Sequence, residues 1–182
     1  MGSITRCARF DNTRMYRYTL ARLWDEGRKP LLWIMQNPAD ANEAEDDKTI
    51  GRCVRFARDW DAGGVVVAGG VVVCNLFAFQ ARYSSALWAA AADERVGPEN
   101  DETLRREAER AQTIVAGWGG GPRTAGDDRK AFLARERDVR RMVSRLSRPL
   151  YHLGLTEDEH PRHPLFVRAD THPSLWPPPA DA

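Results

Sequence analysis

Leu31-Leu32-Trp33-Ile34-Met35 is an unbroken apolar run that stops at Asn37-Pro38. A run of strand length with no polar alternation marks a strand covered on both faces, and the proline beyond it cannot donate to a continuing ladder. A second run, over residues 65–73, contains the pair Gly69-Gly70 and closes on Asn75. Between the two runs, Ile50, Cys53, Val54, Ala57 and Trp60 recur at three- and four-residue spacing, with Arg52, Arg55, Arg58 and Asp59 opposite them. That is an amphipathic helix opened by Thr49 and ended by Gly63-Gly64. Buried strand, helix, buried strand implies a crossover connection, so the chain reads as an α/β domain with parallel strands.

The rest of the chain repeats the pattern. A helix over residues 99–112 buries Leu104, Ala108 and Ala111, and a third buried strand over 113–118 stops at Gly119-Gly120-Gly121-Pro122. The longest amphipathic helix covers 127–146, and a fourth strand covers 149–153. Ahead of the first run, residues 6–10 and 14–20 flank Asp11-Asn12-Thr13, a turn signal for a short antiparallel hairpin. Residues 80–98 read as loop or short helix, and the chain from Thr156 reads as irregular. The expected architecture is a single three-layer α/β/α domain over residues 1–176. It has a mainly parallel four-stranded sheet, an N-terminal antiparallel hairpin and a disordered tail over 177–182.

The 182 residues carry a formal net charge of +1, so no basic excess advertises a nucleic-acid binder. The three cysteines, Cys7, Cys53 and Cys74, show no CxxC spacing and read as buried free thiols of a reducing compartment. No apolar stretch is long enough to span a bilayer, and residues 1–10 lack a signal-peptide core, so a cytoplasmic protein without a membrane partner is expected. There is no GxGxxG after a strand, no P-loop and no GxSxG elbow. Dinucleotide oxidoreductases, P-loop kinases and common serine esterases are thereby disfavoured, and no cofactor is expected.

Ligands of open α/β sheets bind beyond the carboxyl ends of the strands. Asn37, Asn75, Trp118 and the histidine-rich tail all follow strands on that one edge. Asn37, held by Pro38, could position a water or a substrate carbonyl, or simply close the strand as an Asx-turn. Asn75 could read the edge of a base and Phe77 could stack on it, or both could be turn and core. The loop over 39–47 holds Asp40, Glu43, Glu45, Asp46 and Asp47 and no base. It could bind a hard cation, or it could be a solvated loop that places negative charge at a helix N-terminus. All four histidines, His152, His160, His163 and His172, fall in the last 31 residues. His160 and His163 flank Pro161-Arg162, a compact donor group that suits an anion or a departing leaving group better than zinc, which lacks further ligands here. Residues 129–148 carry eight bases against two acids. That run is either a solvated helix face or a contact for nucleic acid.

Taken in order, several segments resemble a bacterial family classed as domain of unknown function 1643, over about residues 16–166. They are Leu32-Trp33-Ile34-Met35-Gln36-Asn37-Pro38, Asp46-Asp47-Lys48-Thr49-Ile50 with Arg52-Cys53, Asn75-Leu76-Phe77-Ala78-Phe79 and Gly97-Pro98-Glu99-Asn100-Asp101. Ala116-Gly117-Trp118-Gly119, Leu153-Gly154-Leu155-Thr156 and Pro161-Arg162-His163-Pro164-Leu165 complete the set. Where that family carries hydroxyl residues after the Asn-Pro, this chain has Ala39-Asp40-Ala41. A fainter resemblance is to the uracil-DNA glycosylase superfamily. Its branches carry an Asn-Pro after the first core strand, an Asn-Leu strand end and a late His-Pro loop. Asn37-Pro38, Asn75-Leu76 and His163-Pro164 (or His172-Pro173) fall in that order here.

The expected function is hydrolysis of an N-glycosidic bond in a nucleoside or nucleic acid. Asn37 would hold the water and His163 would stabilise the departing base. Pro38, Asp40, Asn75, Phe77, Trp118, Arg162, His160 and His172 form the expected substrate-binding set. A non-catalytic nucleotide or nucleic-acid binding module is the alternative, and a metal-dependent phosphohydrolase using Asp46 and Asp47 is the third reading.

Overall fold

The computed structural model describes residues 3–179. Strands β1 (Thr5–Phe10) and β2 (Arg17–Leu23) are followed by β3 (Leu31–Met35), helix α1 (Lys48–Ala62) and β4 (Gly70–Asn75). Helices α2 (Ser84–Ala89) and α3 (Asn100–Arg110) lead to β5 (Ile114–Ala116), and α4 (Asp127–Arg145) leads to β6 (Leu150–His152). A 3-10 turn (Pro164–Phe166) and β7 (Ser174–Trp176) complete the chain.

The seven strands form one mixed sheet in the order β1-β2-β4-β3-β5-β6-β7. Its centre, β4-β3-β5-β6, is parallel, while β2 joins β4, β1 joins β2 and β7 joins β6 antiparallel. The expectation of a four-stranded sheet beside a separate hairpin is corrected in two places. The hairpin extends the sheet because β2 is buried along most of its length. Its arginines, Arg17 and Arg22, are both buried and bonded to the chain around them. The second correction is β7, in a stretch read as irregular. It is three residues long, too short for any periodicity, and is anchored by Trp176, whose ring packs 5.6 Å from Trp118. Of the expected tail, residues 180–182 lie outside the described residues, and the Pro177 carbonyl accepts a hydrogen bond from Arg140.

The run over 65–73 enters the sheet only at Gly70. Gly69 instead crosses beneath the β2–β3 connection: its carbonyl accepts from the Trp24 and Asp25 amides, and its own amide donates to the Lys29 carbonyl. A Cβ there would collide with the Asp25 and Arg28 carbonyls, which is why glycine interrupts the apolar run.

Alternate residues of β3 supply two cores. Leu31, Trp33 and Met35 pack with Ile50, Cys53, Phe56, Ala57 and Trp60 of α1. Leu32 and Ile34 pack on the other face with Leu104 and Ala108 of α3 and Phe132, Val139 and Val143 of α4. Burying a side chain such as Phe56 or Trp60 contributes about 1.5–3 kcal/mol, so this two-sided packing, rather than helix propensity, sets the layers. One helix covers one face and three share the other, so the α/β class is as expected, while the sheet between them has seven mixed strands rather than four parallel ones. Cys53 and Cys74 are buried and burial pushes both thiols up, whereas Cys7, expected to be buried, is exposed. No helix among the described residues is long and apolar enough to cross a membrane.

Candidate functional site

The connection after β3 leaves toward α1, and those after β4 and β5 leave toward the opposite face. Such a reversal opens a crevice at the carboxyl edge. A cleft of about 250 Å³ lies there, and its lining includes Gln36, Asn37, Asn75, Trp118 and His163. It also includes Arg17, Asp47, Thr49 and Arg82.

Asn37 is fixed by its own amide. Nδ2 donates to the Pro38 carbonyl at 3.0 Å and to the Ala81 carbonyl at 2.7 Å, and the Ala81 amide returns a bond to the Pro38 carbonyl at 2.9 Å. With both N–H groups engaged, Oδ1 remains as an acceptor. Pro38 is therefore a buried strut beside the cleft.

Asn75 ends β4 and is 1% exposed, and neither Oδ1 nor Nδ2 has a hydrogen-bond partner. An amide left unpaired in a buried place costs about 1–3 kcal/mol for each group. Its backbone is nonetheless held firmly. Asn100 Nδ2 donates to the Asn75 and Leu76 carbonyls at 3.0 Å each, Arg135 Nε donates to the Leu76 carbonyl at 2.7 Å, and the Leu76 amide donates to the Met35 carbonyl at 2.7 Å. The fold thus presents one donor and one acceptor, side by side, at a rigid position.

His163 precedes the 3-10 turn, and its Nδ1 accepts from the Leu165 amide at 3.3 Å. That bond assigns the proton to Nε2 in the neutral ring. Burial lowers its pKa, opposed by the Asp47 carboxylate. Arg52 of α1 holds the turn from outside, donating to the Pro164 carbonyl at 3.4 Å and the Val167 carbonyl at 2.7 Å.

The acidic loop is organised by arginines. Asp46 Oδ1 lies 2.7 Å from Arg22 Nε and its other oxygen 3.2 Å from Arg6; Glu43 pairs with Arg14, and Asp40 pairs with Arg82 at 3.3 Å. Asp47 caps α1, accepting from the Ile50 amide at 2.8 Å, and it alone among these acids lines the cleft. Among the described residues, no three His, Cys, Asp or Glu side chains are grouped to hold a metal ion.

The remaining expected residues are placed elsewhere. Phe77 is 2% exposed and packs edge-on against Trp88 at 5.3 Å, so it offers no free face for stacking. His160 is buried in a network beneath Trp118. Its Nδ1 donates to Glu136 Oε2 at 2.7 Å, the same oxygen accepts from Trp118 Nε1 at 2.7 Å, and Arg129 donates to His160 Nε2 at 2.9 Å. Arg162 is exposed and donates to the Leu155 carbonyl, beside a neighbouring depression that shares only His163 with the cleft. His172 is not among the residues lining the cleft: Thr171 before it is bound to α1, its carbonyl accepting from Trp60 Nε1 at 3.0 Å. Asp40 is exposed beside Arg82. Of the basic run, Arg135 is buried against Leu76 and Asp101, and Arg140 covers Trp176 at 4.0 Å.

Arg17 was not foreseen. It is 2% exposed, lines the cleft, donates through Nη1 to the Ala41 carbonyl, and has a buried Nε without a partner. Burial pushes its guanidinium down to about 10, with Asp47 opposing. In the sequence it is one arginine among many, at the start of a short strand, and nothing local separates it from its exposed neighbours.

A chain built this way belongs to the family described as Protein of unknown function (DUF1643), whose model matches residues 17–165. No curated protein and no solved structure matches it.

Proposed function

We propose that the cleft hydrolyses an N-glycosidic bond, releasing a nucleobase. The observation that carries this reading is the unpaired, buried amide of Asn75 at the floor of the strand-end cleft. A donor and an acceptor side by side match the amide-like edge of a base, such as N3–H with O4 of uracil or N1–H with O6 of hypoxanthine. Trp118, not Phe77, is the aromatic residue among those lining the cleft; at 1% exposed it closes one side of it and offers no free face for stacking.

Around a base held at Asn75 the cleft offers what the reaction requires. Asn37 Oδ1 accepts a hydrogen bond from a water, and the Asp47 carboxylate takes the proton that water loses as its oxygen bonds to the anomeric carbon. The electrons of the C–N bond pass to the base, whose developing charge meets His163 Nε2–H; the base then takes up a proton as it leaves. The same carboxylate stabilises the cationic sugar, and fixed dipoles of this kind act most strongly where water is excluded. A neutral His163 suits this role, because it donates without holding a positive charge in a buried place.

The test is a screen for released base by mass spectrometry. Free nucleosides and nucleotides, and oligonucleotides containing uracil, hypoxanthine or xanthine, are offered to wild type and to Asn37→Ala. Release by wild type, reduced at least 100-fold in Asn37→Ala, is expected. No release from any substrate by folded protein overturns the reading in favour of a binding module that uses the same cleft.

A further inference from the structure

Arg17 is a buried cation with no carboxylate in contact; Asp47, which lines the same cleft, offsets its charge only at longer range. Among the described residues no carboxylate lies within 4.0 Å of its guanidinium, although the loop beside it contains five acids. Those acids are directed elsewhere: Asp46 to Arg22 and Arg6, Glu43 to Arg14, Asp40 to Arg82, and Asp47 to the first turn of α1. Arg22, two turns of the pleat away and equally buried, shows what the same chain does with a structural arginine. It has a carboxylate at 2.7 Å and three backbone carbonyls. Arg17 has one carbonyl and an unpaired Nε.

A buried guanidinium with a free Nε and no carboxylate in contact is only partly compensated, so its place on a cleft wall points to a partner that arrives with the ligand. The guanidinium fork matches an oxyanion, and phosphate takes two parallel bonds from it. Arg82 lines the same cleft and is free to swing from Asp40, since an exposed pair of that kind contributes little. The N-terminus of α1, with the Thr49 hydroxyl, faces the same space. A tetrahedral dianion can engage several such donors at once.

We propose that the cleft takes a free nucleoside 5′-monophosphate, with Asn75 reading the base and Arg17, assisted by Arg82, binding the phosphate. The nucleotide identity rests on the base-releasing reading above; the oxyanion subsite at Arg17 does not. A cleft of about 250 Å³ fits one nucleotide, and a terminal phosphate can enter it where the backbone of a continuous strand cannot reach a residue 2% exposed.

The experiment is titration calorimetry on the full chain with uridine, inosine, their 5′-monophosphates, a single-stranded oligonucleotide and inorganic phosphate. Wild type, Arg17→Met, Arg17→Lys and Arg82→Gln are compared, with thermal melting as the check on folding. At least tenfold tighter binding of a monophosphate than of its nucleoside is expected. Arg17→Met should abolish that preference, and Arg82→Gln should narrow it about threefold. If Arg17→Met does not fold, Arg17→Lys and Arg82→Gln decide: a preference unchanged in both overturns the proposal. Equal binding of nucleoside and monophosphate overturns it, as does tighter binding of the oligonucleotide. Phosphate binding that depends on Arg17, with no nucleotide bound, would retain the subsite and discard the base-releasing reading. Nucleotide binding without base release would discard catalysis alone.

Discussion

Two stretches of one sheet edge both bury polar side chains and treat them in opposite ways. Beyond β5 and β6, Trp118, Glu136, His160 and Arg129 bond to one another through ring nitrogens and a shared carboxylate oxygen. Beyond β3 and β4, Asn75 and Arg17 are equally buried and keep polar atoms without partners. The hydrogen bonding of the first set is complete within the fold, and it holds the edge together. The second has hydrogen-bonding capacity that the fold leaves open at a cost, and such capacity is what a ligand can use. An arginine occurs in both, so what separates the two is the completeness of the hydrogen bonding.

The sharpest way to break this contrast is to substitute on both sides of it. Glu136→Ala strands the Trp118 and His160 donors and should lower stability by about 3 kcal/mol in urea unfolding. An unchanged unfolding midpoint would show that the network is not structural. Asn75→Leu should do the reverse. It removes an unpaired amide, so stability should hold or rise by about 1 kcal/mol, while base release falls at least 100-fold. A loss of stability as large as that of Glu136→Ala would place Asn75 on the structural side.

A pH series sharpens the comparison further. Burial holds the folded pKa of His163 below its unfolded value of about 6.5. The unfolded chain therefore binds the proton first. The contribution of His163 is fully present above about pH 6.5 and is lost as pH falls from there through the folded pKa. His163→Asn should flatten that acid limb of the stability curve, and an unaltered limb would show that His163 does not titrate as its burial requires. The smallest effects are expected at residues that the sequence suggested and the fold places outside the cleft. Arg162→Gln and His172→Gln should each leave base release within twofold of wild type, and a tenfold loss in either would redraw the site.

Much of the frame was legible in the chain. The continuous run of β3, the spacing along α1 and the asparagines closing β3 and β4 are local patterns, and local patterns survive folding when burial on two faces demands them. Asn37, Asn75, Trp118 and His163 were placed on one rim by the strand-end rule, and all four line the cleft. Phe77 and His160 were legible only as chemistry: an aromatic and an imidazole look alike whether they face a ligand or a core. β7 was too short to leave a periodicity, and a hairpin signal does not say whether its second strand joins the central sheet, as β2 does through β4.

Sequence alone determined the alternation of buried strands and amphipathic helices, and with it the edge on which polar groups collect, because apolar periodicity is written residue by residue. Tertiary structure decided which polar groups are already satisfied. Arg22 meets Asp46 and His160 meets Glu136, while Arg17 Nε and the Asn75 amide meet no partner. The pairs that form join residues 24 positions apart in each case. Only the folded chain brings such partners together, or leaves them apart.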